Sequence, residues 1–205
     1  MDLTVSAVRL SFLGLPFLFA ACASSDIEKY SASSQEDIST LVEVRPNETS
    51  TNLFTFTGPS IKTRTGYGAF AKGMLRGGSN LGSVVYLQGQ QQLDGQVSHR
   101  FIVALQYTNL GGVYREYNLA NIDGIDNLRV EAVSRNKQYT PNGVIMTETL
   151  GVAVEDAALR ALSGGDLILQ LGNESGNLEL LEIPANYLRA YVTAVDRGPK
   201  NGLSQ

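Results

Sequence analysis

The sequence predicts a mainly β protein, an antiparallel β-sandwich or open barrel, with a small α+β part and two short helices near the C terminus. From Leu53 onward, short segments of alternating or continuous apolar residues recur, which is typical of strands. Turn sequences rich in glycine separate these segments. The chain of 205 residues holds 21 glycines but only 6 prolines, which favours many tight turns over a disordered chain.

The predicted strands share a run of β-branched, aromatic or aliphatic residues bounded by turn residues. They are LFTFT (53–57), VVYLQ (84–88), FIVALQY (101–107), VYREYNL (113–119), LRVEAV (128–133) and GVIMTETLGVAV (143–154). Asp94-Gly95 and Asp123-Gly124 are typical turn dipeptides between them. The stretch TNLGG, at 108–112, predicts a hairpin turn.

The C-terminal part has a different pattern. EDAALRALSGGD (155–166) begins with acids and ends with glycines, which indicates a helix of about two turns. DLILQLG and NLELLEI flank NESG and predict a hairpin. From Pro184, apolar residues at helical spacing predict a second helix that Gly198 ends, and residues 198–205 form a flexible tail.

Composition excludes several classes of function. One cysteine and one histidine leave no intramolecular disulfide framework and no site built from several Cys or His ligands, so no metal or cofactor is predicted. Residues 53–205 hold as many acids as bases, and this balance argues against nucleic acid as a partner.

The N-terminal residues read as a secretory leader. Leu10 to Ala21 carry no charge, but twelve residues fall short of the roughly 20 that a transmembrane helix needs. A run of this length fits the apolar core of a signal peptide, predicted over residues 1–21. Directly after it, Phe19-Ala20-Ala21-Cys22 resembles the lipobox of bacterial lipoproteins, with an apolar residue, two small residues and a cysteine.

The lipobox resemblance implies that Cys22 carries the acyl chains, palmitate among them, and becomes the new N terminus. Because Ala23 and not an aspartate follows the cysteine, it also implies the outer membrane, on its periplasmic side. Two or more acyl chains anchor a protein stably, whereas one chain binds reversibly. Ala21-Cys22-Ala23 also fits the small-residue spacing of ordinary signal cleavage, so secretion without a lipid remains an alternative.

The segment 22–52 is predicted to be a flexible acidic tether between the anchor and a single β-rich domain at 53–197. Its acids exceed its bases by the chain's entire net charge of −4, and it is rich in serine. Low hydrophobicity with net charge is typical of disorder. In the alternative interpretation, Leu41 to Val44 form an edge strand of the domain.

One glycine-rich stretch, residues 58–82, combines backbone accessibility with positive charge and contains no acid. Such a stretch is predicted to meet an anionic glycan, a phospholipid headgroup or an acidic protein, because glycine lets backbone N–H groups approach an anion. Its basic residues form a candidate anionic-partner surface: Lys62, Arg64, Lys72 and Arg76. The alternative is a solvated loop or an edge strand protected by its charge.

Candidate catalytic residues are sparse. His99 stands beside a turn at the start of a strand and is predicted to be a surface or strand-end residue. The carboxylate pairs Asp123/Asp126 and Glu155/Asp156 are explained by turn chemistry and by helix-dipole matching. No catalytic residue is therefore assigned.

Together these features predict a membrane-anchored envelope lipoprotein that is not an enzyme. Its β-rich domain binds or scaffolds a partner protein or an envelope polymer, through exposed strand edges or the 58–82 stretch. The alternative is an envelope hydrolase acting on glycan or peptide. The binding interpretation predicts that His99, Asp123 and Glu155 are scattered. The hydrolase interpretation places two of them in one pocket within about 10 Å, a separation at which paired carboxylates catalyse glycoside hydrolysis.

Overall fold

Strands dominate the computed structural model, which describes residues 26–47, 50–63, 80–109, 111–141 and 143–199. Among these residues, four helices and ten strands occur. The helices are α1 (Asp26–Ala32), α2 (Gln35–Thr40), α3 (Asp156–Leu162) and α4 (Ala185–Arg197). The strands are β1 (Glu43–Asn47), β2 (Ser50–Thr57), β3 (Ile61–Thr63), β4 (Asn80–Gln92), β5 (Val97–Asn109), β6 (Leu119–Ile122), β7 (Val130–Thr140), β8 (Gly143–Val154), β9 (Leu167–Gly172) and β10 (Leu178–Ile183).

These strands form two antiparallel sheets. The large sheet has the order β1-β2-β4-β5-β8-β7, and β3 pairs with β4 beside β2. The small sheet has the order β10-β9-β6. The large sheet is open and not closed into a barrel, so of the two predicted architectures the sandwich-like one is confirmed.

The predicted turn at Asp94-Gly95 and the predicted hairpin around NESG form because each contains a glycine with positive φ. Gly95 joins β4 to β5 with a φ of 88°, and its N–H donates to Gln92 O at 3.0 Å. In NESG, Gly176 has a φ of 77° and closes the turn between β9 and β10 by donating to Asn173 O. Positive φ is accessible to glycine without a Cβ clash, so the sequence fixes both turns locally.

The core lies between the inward face of the large sheet, the small sheet and α4. Alternate residues of β4 and β5 point inward, among them Leu87, Phe101 and Val103, and none of these three has exposed area. The predicted C-terminal helix is confirmed as α4, which starts after Pro184 and ends at Gly198. The predicted two-turn helix is confirmed as α3.

The hairpin predicted at 108–112 is wrong. β5 pairs with β4 and β8, and residues 113–118 leave the large sheet to enter the small one at β6. The local cause is Glu116, which has a φ of 56°, a conformation that a strand does not contain. The backbone N–H groups of Arg115 and Glu116 donate to the side chain of Glu148 and not to a strand partner.

The described part of the predicted tether, residues 26–47 and 50–52, is folded. It forms α1, α2, β1 and the start of β2, and Tyr30, Ile38 and Val42 are buried in the core. The prediction of disorder from composition is wrong because a few apolar side chains at the right spacing bury an otherwise polar segment. The alternative interpretation, an edge strand at Leu41 to Val44, is partly correct, since β1 begins at Glu43 as the edge strand beside β2.

The folded segment leads to a test by substitution. Ile38→Ala removes a side chain that is 1% exposed, so we expect the free energy of unfolding to fall by about 2–4 kcal/mol in chemical denaturation. Leu41→Ala, at a side chain that is 49% exposed, is the matched control and should cost less than about 1 kcal/mol. Equal, small effects of both substitutions would contradict the packing of α2.

Candidate functional site

The outward face of the small sheet exposes aliphatic side chains, although polar residues are expected where a sheet meets water. Four large aliphatic residues are between 38% and 44% exposed and form what we name the aliphatic face: Leu119, Ile168, Leu178 and Leu180. The inward positions of the same strands are buried and mostly apolar, as Leu169 and Leu181 show, with Glu179 as the exception. The small sheet therefore carries aliphatic side chains on both faces.

Strand register places members of the aliphatic face next to one another. Leu119 of β6 and Leu178 of β10 both pair with Gly172 of the central strand, one from each side. Because glycine has no side chain, the two leucines border a shallow depression of about 250 Å³. Its other lining residues carry mainly amides: Asn121, Gln170, Asn173, Gly176 and Asn177.

This arrangement suits recognition of a protein surface. A contiguous exposed apolar patch marks an interaction site more often than scattered single residues do. Side-chain amides at the rim supply donors and acceptors that a partner's backbone can use, as in the polar rim of protein interfaces. The sequence signal was present, since LILQLG and LELLEI carry aliphatic residues in both phases of the strand alternation.

His99 is buried near the start of β5, so of the two predicted placements the surface is wrong and the strand end is right. It is 5% exposed on β5, where Nε2 lies 2.9 Å from Asp156 Oδ1 and Nδ1 lies 3.1 Å from the Tyr191 hydroxyl. A Cβ at Gly89, the partner of His99 on β4, would collide with that hydroxyl. Glycine at this position therefore permits the close approach of histidine and tyrosine.

Both ring nitrogens of His99 have side-chain partners. The Asp156 carboxylate accepts from Nε2–H, which leaves Nδ1 to accept from the Tyr191 hydroxyl. Burial lowers the pKa of His99, against the opposing effect of Asp156, and burial raises the pKa of Tyr191. Tyr191 has no exposed area, so a substrate reaches Nδ1 only if this tyrosine moves.

An open cleft of about 690 Å³ lies over this histidine. His99, Glu155 and Asp156 all line it, with Ser98 and Arg129 among the other lining residues. Two of the three residues that the hydrolase alternative brings together, His99 and Glu155, therefore share one cleft. Asp123 does not line it, and its carboxylate accepts the Ile168 N–H at 3.4 Å at the small sheet. Asp156 is paired with Arg160, which lowers the pKa of Asp156.

Glu148 is a buried carboxylate with no exposed area. Its Oε1 accepts from the Tyr107 hydroxyl and from the Arg115 backbone N–H at 2.9 Å. Its Oε2 lies 3.5 Å from Arg135 Nε of β7. A carboxylate enclosed in this way fixes its donors in place, because removing one partner leaves a buried charge uncompensated.

Glu179 is the second buried carboxylate and belongs to the small sheet. Its Oε1 accepts from the Tyr117 hydroxyl at 3.0 Å and from Arg115 Nη1 at 3.3 Å. The Arg115 guanidinium also lies 4.1 Å from the centre of the Tyr107 ring. Arg115 therefore connects Glu148 of the large sheet, through its backbone, to Glu179 of the small sheet, and this network orients the small sheet.

The predicted anionic-partner surface is described at one of its four residues. Lys62 lies exposed on β3, and its backbone N–H donates to Asp26 Oδ2 at 2.9 Å. Arg64, Lys72 and Arg76 lie outside the described residues, and so does the predicted lipidation site, Cys22. The anionic-partner surface and the lipidation of Cys22 therefore stay predictions.

Comparison with known proteins gives no family assignment. No family model, no curated protein and no solved structure matches the chain. In the described part of the chain, no helix has the length and apolar character to cross a membrane. The same part contains no group of three or more His, Cys, Asp or Glu side chains placed to hold a metal ion.

The buried histidine predicts a pH dependence of stability. The folded-state pKa of His99 lies below the value of about 6.5 expected in the unfolded chain, so the unfolded state binds the proton more readily. Stability from this group is complete above about pH 7 and falls as the pH drops below about 6.5. We expect urea denaturation of the wild type to show this loss between pH 7 and 5.

The chain has a single histidine, so His99→Gln is a direct control. In that variant the loss between pH 7 and 5 should be much smaller, whatever its stability at pH 7. An unchanged slope would assign the pH dependence to carboxylates instead.

Proposed function

We propose that this protein is a non-enzymatic lipoprotein of the bacterial envelope, anchored at Cys22, that binds a partner protein through the aliphatic face. The lipobox-like Phe19-Ala20-Ala21-Cys22 supports the anchor and the location, which we assign to the outer membrane facing the periplasm. The observation that carries the binding role is the exposure of four large aliphatic side chains on one outward sheet face.

A protein fits the aliphatic face better than an envelope polymer does. The outward side of the small sheet carries the four residues of the aliphatic face, the amides of Asn121 and Gln170 and one acid, Glu182, whereas the basic residues predicted to meet an anionic polymer lie elsewhere in the sequence. Apolar side chains at the centre and hydrogen-bonding groups at the rim are the usual composition of a protein interface. The basic residues Lys62, Arg64, Lys72 and Arg76 remain a second, anionic-partner surface in this proposal.

The hydrolase alternative is supported by one observation, the cleft shared by His99, Glu155 and Asp156. It requires one ring nitrogen of His99 to leave its present partner, Asp156 or Tyr191, and to act on the substrate instead. The His99→Gln variant separates the alternatives, because in the hydrolase it removes turnover of purified peptidoglycan that the wild type shows. Absence of turnover in the wild type supports the binding role.

The anchor is tested by Cys22→Ser in the full chain. We expect the wild type to stay with the outer membrane after a high-salt wash and to carry diacylglycerol-type mass on Cys22 by mass spectrometry. The variant should lose that mass and move to the soluble fraction. If the variant stays with the membrane as firmly as the wild type, Cys22 is not the anchor.

The binding role is tested by paired charge insertion on the aliphatic face. Leu178→Lys with Leu180→Lys should weaken the affinity for a partner captured by the wild type by tenfold or more, because each lysine must be desolvated on binding. Leu93→Lys is the matched control, since Leu93 is 66% exposed in the turn between β4 and β5. Unchanged thermal unfolding excludes a folding defect, and equal affinities of wild type and double variant would exclude this face.

A further inference from the structure

We infer that one end of the large sheet, where Leu81, Val113 and Tyr139 are exposed, lies against the lipid headgroups of the membrane. The inference rests on the proposed anchoring at Cys22, and it specifies how the domain is held. It depends on the length of chain between the anchor and the first residue of the folded domain.

The folded domain begins close to the anchor. α1 starts at Asp26, whose carboxylate accepts from the backbone of Lys62 on β3 at 2.9 Å. Tyr30 fixes the helix further, since its ring is 4% exposed and its hydroxyl is 3.4 Å from Ser60 O. Only three residues lie between Cys22 and Asp26, and the four Cα–Cα steps that join them span at most about 14 Å in a fully extended chain. A lipid on Cys22 therefore keeps β3 near the bilayer.

Strand register shows which other residues lie at this end of the sheet. β3 pairs with the first half of β4, which is the half that contains Leu81. The paired residues Asn109, Val144 and Tyr139 lie in one row across β5, β8 and β7. This row is at the end of the sheet where β5 and β7 end and β8 begins. The Asn109 amide donates to Val113 O at 2.7 Å, which places Val113 beside the same row.

The chemistry of these side chains matches a membrane interface. Tyr139 is 78% exposed, Val113 is 64% exposed and Leu81 is 49% exposed. Tyrosine is enriched at the level of lipid headgroups, where its ring is apolar and its hydroxyl is hydrated. Shallow burial of apolar side chains adds to the affinity that an acyl anchor supplies.

Charges at this end are mixed, with basic residues nearest to the exposed apolar ones. Lys137 is exposed on β7, two residues before Tyr139, and its Nζ lies 4.9 Å from the centre of the Tyr114 ring. Lys62 is exposed on β3. Anionic headgroups attract such lysines. The acids of the same region are Asp26, Glu28 and Glu116, of which Asp26 accepts the Lys62 N–H and Glu116 is paired with Arg135.

The opposite end of the sheet is farther from the anchor. Val84, the partner of Lys62, is nine positions from Leu93, about 30 Å along β4 and its turn, but only three positions, about 10 Å, from Leu81. The anchored segment therefore docks nearer to the end that contains Leu81. Leu93 is 66% exposed, so it has the same accessibility as the residues at the proposed membrane-facing end.

The test compares labels at the two ends of the full, lipidated chain. Cys22 is the chain's only cysteine and is blocked by acylation, so a single introduced cysteine takes a fluorophore selectively. Gln138→Cys reports on the end next to Tyr139, and Leu93→Cys reports on the opposite end. Each protein is reconstituted in vesicles of phosphatidylethanolamine and phosphatidylglycerol that carry a quencher on the headgroup.

We expect at least threefold stronger quenching of the label at position 138 than of the label at position 93. Adding Lys137→Glu and Tyr139→Ser should reduce quenching at position 138, whereas Arg45→Glu, on the exposed edge strand β1, should not. Equal quenching at both positions, or stronger quenching at position 93, overturns the inferred orientation. Mass spectrometry of the same samples separates the two proposals: acylated Cys22 with equal quenching overturns the orientation alone, and an unmodified Cys22 overturns the anchor together with it.

Discussion

The packing of two tyrosine hydroxyls of α4 into the large sheet is the contact on which the rest of the domain depends. The Tyr187 hydroxyl accepts the Leu87 N–H at 3.0 Å, and the Tyr191 hydroxyl bonds His99. Both tyrosines are 1% exposed or less, and burial raises the pKa of each hydroxyl, which keeps it protonated and neutral. A buried hydroxyl needs a partner, so these bonds fix the distance and rotation of the helix. A Cβ on Gly58 would lie only 2.5 Å from the Tyr187 hydroxyl, so the sheet must carry glycine there.

The network around Arg115 connects this core to the small sheet and so to the proposed interface. Residues 113–118 have few strand bonds of their own, and the carboxylates of Glu148 and Glu179 hold them instead. Both carboxylates are almost fully buried, which makes the network costly to disrupt. As a result the small sheet is held in one orientation, with its inward leucines in the core and the aliphatic face toward water. A rigidly presented apolar face loses little conformational entropy on binding.

Folding of residues 26–47 onto the domain changes how an anchor at Cys22 would act. A disordered tether of about 30 residues would let a domain sample a wide volume, whereas the three residues between an anchored Cys22 and Asp26 would hold it close to the membrane. The ion pair between Arg197 and Glu36, at 2.7 Å, and the burial of Ile38 join this segment to the C-terminal helix. The two ends of the described chain are therefore packed against each other.

Elements with strong local signals are predictable from the sequence alone: β8 matches the predicted range 143–154, and the predicted C-terminal hairpin and both C-terminal helices occur. These elements depend on alternation, turn glycines and helix ends, which act within a few residues. Only the tertiary structure decided the fate of residues 26–47, of His99 and of 113–118. In each case a long-range partner outweighed local composition: the core for Ile38, Tyr191 for His99 and Glu148 for Arg115. The aliphatic face also depends on tertiary packing. The sequence supplies aliphatic residues in both phases of β9 and β10, and the packing of one phase into the core leaves the other exposed.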